Sequence, residues 1–183
     1  PGTYQVHLES NDVIYSKELI VIKDPHSEGT IEDIELQNDL VEKIYNDLNK
    51  TAMYVNSIES IRRQLMDLKS ALVGNRKNEM LISEVENLES KFLGIENKLL
   101  QLKTTGKGQD AVRYPKMIGE KLAYLAENVQ ISDFRPADSY YDVYELLHKR
   151  LQNVGLEYDN LVSNDLEAVS YTHLRAHETG GYL

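Results

Sequence analysis

The chain has no cysteine, so neither disulfides nor thiolate metal sites are available to it. It also has no apolar run approaching the roughly 18 residues that a bilayer crossing needs. Positive charge is scarce: 20 Lys and Arg face 30 Asp and Glu, a formal net charge of −10. No run of basic residues offsets that balance. Such a surface repels phosphate backbones, so neither nucleic acid nor an anionic membrane is an expected partner. A signal-like segment is missing too, and the chain opens at Pro1-Gly2 in what reads as the middle of a structure. The expectation is that further sequence precedes it.

What is present is enough for a folded domain. Hydrophobic residues make up 41% of the 183 positions and charged residues 27%, which excludes a disordered chain. Two periods divide the sequence. Over residues 3–23 the pattern is that of strands: Tyr4, Val6 and Leu8 alternate with polar neighbours, Ser10-Asn11-Asp12 supplies a turn, and a Val-, Ile- and Tyr-rich run ends before Pro25. A lone hairpin is marginal in water. This one must therefore pack on the helices that follow or be the last hairpin of a β-sandwich, and the second is the preferred reading.

From Thr30 the period becomes helical, with Thr30 placed to cap the first turn. Ile34, Val41, Ile44, Leu48, Val55, Ile58, Leu65, Leu68 and Leu72 predict one helix over 30–73, stopped by Gly74-Asn75, with a kink near Asn49-Lys50-Thr51. A second helix is predicted over 77–103. Its Leu81, Val85, Leu88, Phe92, Ile95, Leu99 and Leu102 alternate steps of four and three, as a coiled-coil seam does. A loop over 104–114 with Gly106 and Gly108 leads to Pro115 and a short helix with Ile118, Leu122, Leu125 and Val129 on one face. Residues 132–136 break the chain again. A last helix over 138–167 is expected to bury Tyr140, Val143, Leu147, Leu151, Val154, Tyr158 and Leu161. The fold class that results is mostly α: a β-hairpin over 1–27, then over 28–168 an antiparallel bundle of three long helices and one short helix.

Residues 169–179, VSYTHLRAHET, resemble one translated frame of a transposon-type sequencing-library adapter. Residues 169–183 are therefore expected to be a non-native tail. His173, His177 and Glu178 imitate a metal-binding helix but receive no role.

Little else in the sequence points to chemistry, and no catalytic, metal or cofactor site is expected. Acids two apart on a helix, Glu84/Glu86 and Glu157/Asp159, do not face each other. His7, His26 and His148 have no Ser or Cys motif beside them. Gly106-x-Gly108 follows a helix rather than a strand and lacks the rest of a phosphate loop. Asn49-Lys50-Thr51 matches the glycosylation sequon but falls within a predicted helix.

The most distinctive segments are GKGQDAVRYP (106–115) and SDFRP (132–136) at helix junctions. Two readings apply. Arg113 can pair with Asp133 while Tyr114 and Phe134 pack between helices, making a structural clasp. Alternatively, these four residues form a docking surface for an upstream domain.

The order PGTYQVHL…LIVIKDP, long helix, GKGQDAVRYP, KLAYLAENV, SDFRPAD and final long helix resembles the carboxy-terminal region of sortilin-like, BNR-repeat β-propeller proteins of Bacteroidota. The resemblance covers residues 1–168, and the family is often labelled glycosyl hydrolase or exo-sialidase. It implies an upstream propeller and an Ig-like sandwich as partners in the same chain, export from the cytoplasm, and any glycan chemistry confined to the propeller. Self-association through a helix face is a further expectation. The alternatives are a fragment of a sialidase-like glycoside hydrolase and a free-standing coiled-coil interaction protein. Two departures from the family pattern are Ser10-Asn11-Asp12 in place of a Gly-containing turn and Ala137 in place of Thr.

Overall fold

The computed structural model describes residues 1–167; the expected non-native tail, with His173, His177 and Glu178, lies outside the described residues. The chain is a two-stranded hairpin followed by a helical bundle. Strand β1 (Gly2–Ser10) pairs antiparallel with β2 (Val13–Val21), in a register that sets Tyr4 opposite Leu19 and Leu8 opposite Tyr15. Only Asn11 and Asp12 form the turn, with φ of 51° and 61°. Two consecutive positive φ values define a turn whose twist matches the strands, and Asn and Asp tolerate that backbone region best after glycine. The hairpin does not lean on the helices: every residue of both strands is exposed.

Helix α1 (Ile31–Leu72) begins with a reciprocal cap. The Asp33 amide donates to Thr30 Oγ1 (3.0 Å), and the Thr30 amide donates to Asp33 Oδ2 (2.9 Å). These bonds from the Thr30 backbone and hydroxyl hold the Asp33 carboxyl below its ordinary pKa. The 42 residues, roughly 60 Å of helix, run unbroken through Asn49-Lys50-Thr51 until Gly74, at φ 102°, turns the chain.

Cross-helix bonds fix how the other helices lie on α1. Arg62 reaches Glu89 and Glu96, and Lys69 reaches Glu86 at 2.7 Å, so α2 (Glu79–Leu99) runs antiparallel along the carboxy-terminal half of α1. After the single turn α3 (Asp110–Arg113), helix α4 (Ile118–Val129) covers the amino-terminal half. Gln37 Nε2 donates to the carbonyls of Val129, at 2.7 Å, and of Ser132. At the other end of α4, a Cβ added to Gly119 would lie 2.9 Å from Leu100 Cδ2 and 3.3 Å from Thr51 Cγ2. A side chain there would need the Leu100 side chain to shift. Helices α2 and α4 therefore follow one another in the same direction, as two halves of one rod.

Helix α5 (Asp138–Asn160) runs parallel to α1, through Asp47–His148 and Ser57–Tyr158, and antiparallel to α2, through Lys98–Glu157 and Lys91–Asp165. The result is a three-helix cross-section along the whole length. Its core includes Leu40, Ile44, Ile58, Phe92, Leu99 and Leu122, each at most 1% exposed.

Several boundaries differ from the sequence expectation. Helix α2 stops at Leu99, so Leu102 is exposed and outside the seam. Pro115 precedes α4 by three residues. The first turn is organised by Glu120 instead, whose carboxylate accepts from the Met117 amide (2.9 Å) and the Gln101 amide (2.8 Å). One side chain thus fastens the start of α4 to the end of α2. In α5, Tyr144 is buried and Val143 is exposed, because the Tyr144 ring turns toward a polar cluster shared with α1 while Val143 faces α4. Beyond Asn160 the last turn, Leu161–Leu166, widens from α to π.

Candidate functional site

The four predicted contact residues lie at opposite ends of α4. Arg113 closes α3 and Tyr114 follows it, whereas Asp133 and Phe134 lie beyond Val129. The 12 residues of α4, about 18 Å of helix, stand between them. The Arg113–Asp133 clasp therefore does not form, and Phe134, 52% exposed, does not pack between helices. The 132–136 loop closes over the start of α1 instead. A Cβ added to Gly29 would meet the Asp133 carbonyl oxygen at 2.1 Å, and the Arg135 charge acts on Asp33.

The remaining chemistry-bearing residues of the sequence are mostly dispersed. Glu84, Glu86, Glu157 and Asp159 are all exposed; Glu86 pairs with Lys69 and Glu157 with Lys98. His7 Nδ1 meets the Ser16 hydroxyl across the hairpin at 2.7 Å. Gly106 and Gly108 take φ of 71° and 60°, as a left-handed connection requires. Among the described residues no group of three or more His, Asp or Glu is arranged to hold a metal. No helix there is long and apolar enough to cross a membrane.

His148 is the exception, because the fold surrounds it. Asp47, 1% exposed, places Oδ2 2.6 Å from His148 Nδ1, and the Tyr144 hydroxyl lies 3.4 Å from the same nitrogen. Gln152 Nε2 is 2.9 Å from His148 Nε2. A coherent bonding pattern has Nδ1–H donating to Asp47 and Nε2 accepting from the Gln152 amide. Both ring nitrogens are thus engaged. Burial first, and the Asp47 charge second, push the Tyr144 hydroxyl up to about 12. Tyr144 is made a weaker acid, the reverse of an activated nucleophile. The cluster's geometry suits a lock between α1 and α5.

A second polar pair joins α1 to α2. Glu96, 2% exposed, accepts from Arg62, whose Nε also donates to Glu89 Oε1 at 2.9 Å. Burial opposes the Arg62 charge, but the two carboxylates outweigh it and raise its pKa. Among the described residues every buried side-chain nitrogen and oxygen has a hydrogen-bond partner.

Sequence reasoning missed Asp47 and Thr51. Both sit on the α1 stripe between Ile44 and Val55, at steps of three and four, and that interruption of an otherwise apolar stripe is the available signal.

The hairpin presents the most conspicuous surface. The register places Tyr4, Val6, Leu8, Val13, Tyr15, Leu19 and Val21 on one face, interrupted by Lys17. The opposite face carries Thr3, Gln5, His7, Glu9, Ser16 and Glu18 with two isoleucines. All seven apolar side chains are 42–64% exposed. No protein-family model, curated protein or solved structure matches the chain.

Proposed function

We propose that the chain is a non-catalytic accessory module of a larger exported protein, with the hairpin completing a β-sandwich and the bundle supporting domain packing or oligomerisation. The observation that carries this reading is the uncovered apolar hairpin face. A half-apolar, half-polar alternation is the pattern of a strand pair packed on one side. Burying such side chains contributes about 1.5–3 kcal/mol each, so leaving all of them in water is a poor arrangement for a stable sheet. The resemblance to sortilin-like, BNR-repeat proteins agrees with that pattern. In that reading the covering partner is the Ig-like sandwich, the propeller lies further upstream, and glycan chemistry belongs to the propeller.

Hydrogen exchange tests the proposal directly. Amides of Gly2–Ser10 and Val13–Val21 are expected to exchange rapidly in this chain and to be strongly protected in the product of the gene extended upstream. Equal exchange in both proteins, or a reading frame that adds no upstream domain, overturns it. Full-length protein whose sialoside hydrolysis is abolished by substitutions in this bundle would instead place catalytic residues here.

A further inference from the structure

Although the sequence has no basic run, the fold assembles a cationic surface. A groove of about 410 Å³ runs between α4 and α5. Leu125 and Leu147 are buried beneath it, and Tyr124, Val143 and Leu146 line it while 43–57% exposed. Lys116, Lys121 and Arg150 gather at one end, and Lys116 Nζ stands 4.8 Å from the centre of the Tyr124 ring. Among the described residues none of the three has a carboxylate partner, and no Asp or Glu lines the groove. In a chain of net charge −10, that local inversion is the observation that selects an occupant.

We propose that this groove docks an acidic, amphipathic helical segment of a protein partner. Three arguments converge on that occupant. Both walls are helices whose backbone groups already bond internally, so an extended peptide would gain no main-chain partners, whereas a helix satisfies its own. Helix α4 is 12 residues long, and two to three turns of a guest helix, with apolar side chains at i, i+3 or i+4, and i+7, span that length. The cations select acidic flanks, and they favour the guest's carboxy-terminal end beside Lys121 and Arg150. A second copy related by twofold symmetry is disfavoured, since groove would face groove and the facing lining offers no carboxylate to meet Lys121 and Arg150. This docking surface is independent of the hairpin and does not rest on the accessory-module reading.

A phage-displayed library of peptides of about 16 residues, selected on the intact chain, tests it. Binding of the enriched peptides is then measured by fluorescence anisotropy against Lys121→Glu/Arg150→Glu and against Leu146→Ser. These positions are exposed, so unchanged thermal melts will show that both variants fold. The expected result is enrichment of acidic peptides with helical apolar spacing, weakened about tenfold or more by each variant, and by added salt. No enrichment, enrichment of basic or extended sequences, or binding indifferent to the variants overturns the proposal. Co-sedimentation with phosphatidylcholine–phosphatidylglycerol vesicles that depends on Lys121 and Arg150 would assign the groove to a lipid surface and overturn it as well.

Discussion

The hairpin and the bundle obey the same rule with different outcomes. In each, apolar residues recur at the period of their secondary structure, every second residue in β1 and β2 and every three or four in α1, α2 and α5. The helical stripes find each other within the chain, and Phe92, Leu99 and Leu122 are sealed from water. The hairpin stripe meets no cover among the described residues, and Tyr4, Leu8 and Tyr15 remain at least half exposed. Patterning alone states which side of an element is to be covered, not what covers it. One region buries its apolar stripes and the other leaves its own exposed.

Substitution with a charge breaks that comparison most sharply. Leu88, 2% exposed in the α2 seam, is expected to tolerate no carboxylate: Leu88→Asp loses about 2–5 kcal/mol of packing and adds an unpaired buried charge. Circular dichroism should show loss of the cooperative helical melt. The same change at Leu8, 64% exposed on the hairpin face, should move that melt by no more than about 0.5 kcal/mol. A helical melt that survives Leu88→Asp would sink the seam, and one destroyed by Leu8→Asp would mean that the hairpin supports the bundle after all.

Next in size is the lock between α1 and α5. Asp47→Ala leaves His148 Nδ1 and the Tyr144 hydroxyl without their acceptor, at an expected cost of about 3 kcal/mol in urea unfolding. Asp47→Leu/His148→Leu/Tyr144→Phe removes all three polar partners together and should cost less than Asp47→Ala alone. Equal losses would show that the cluster contributes only by packing.

These residues also mark where the sequence stopped being informative. The turn at Asn11-Asp12, the Thr30 cap and the stripe from Leu81 to Leu99 were legible because each depends on neighbours a few positions away. Burial of Asp47 depends on His148, 101 residues later, arriving from another helix. Local spacing cannot carry that information, and Asp47 reads as one more acid on an acidic chain. Tyr144 displaced Val143 from the core for the same reason. The Arg113–Asp133 pair failed on topology: both motifs flank α4, and once α4 forms a straight helix its two ends cannot touch. As for the site, the four expected contact residues were visible as irregular loops, but the cations of the α4/α5 groove were not, being spread over 116–150 and gathered only by folding.

Alkaline pH isolates the Tyr144 part of the lock. Its hydroxyl is held up to about 12, above the ordinary 10, so the neutral form is favoured in the folded state. That contribution is present in full below pH 10 and is lost as pH rises through about 12. At about 1.4 kcal/mol per unit, the loss is on the order of 3 kcal/mol. Tyr144→Phe should flatten this part of the profile in denaturant unfolding between those limits. A profile unchanged by the substitution would assign the alkaline loss to other groups.

The smallest effect sharpens the comparison inside the bundle, between two helix starts. Thr30 and Asp33 cap α1 reciprocally, whereas Ala137 heads α5 with extended backbone, φ −63° and ψ 148°, and no side-chain bond. That backbone is what a capping Thr or Ser adopts, and the Ala137 side is exposed, so a hydroxyl enters without a clash. Ala137→Thr should gain about 1 kcal/mol and Thr30→Ala should lose about as much, both read from the same thermal melt. The paired design matters because each change alters one cap and leaves the core untouched. If Thr30→Ala destabilises while Ala137→Thr does nothing, the first turn of α5 is held by the buried Pro136 and the 132–136 loop rather than by its cap. The junction that carries Asp133 and Phe134 would then be a rigid part of the bundle, and a firmer platform for a neighbouring domain than its exposed side chains suggest.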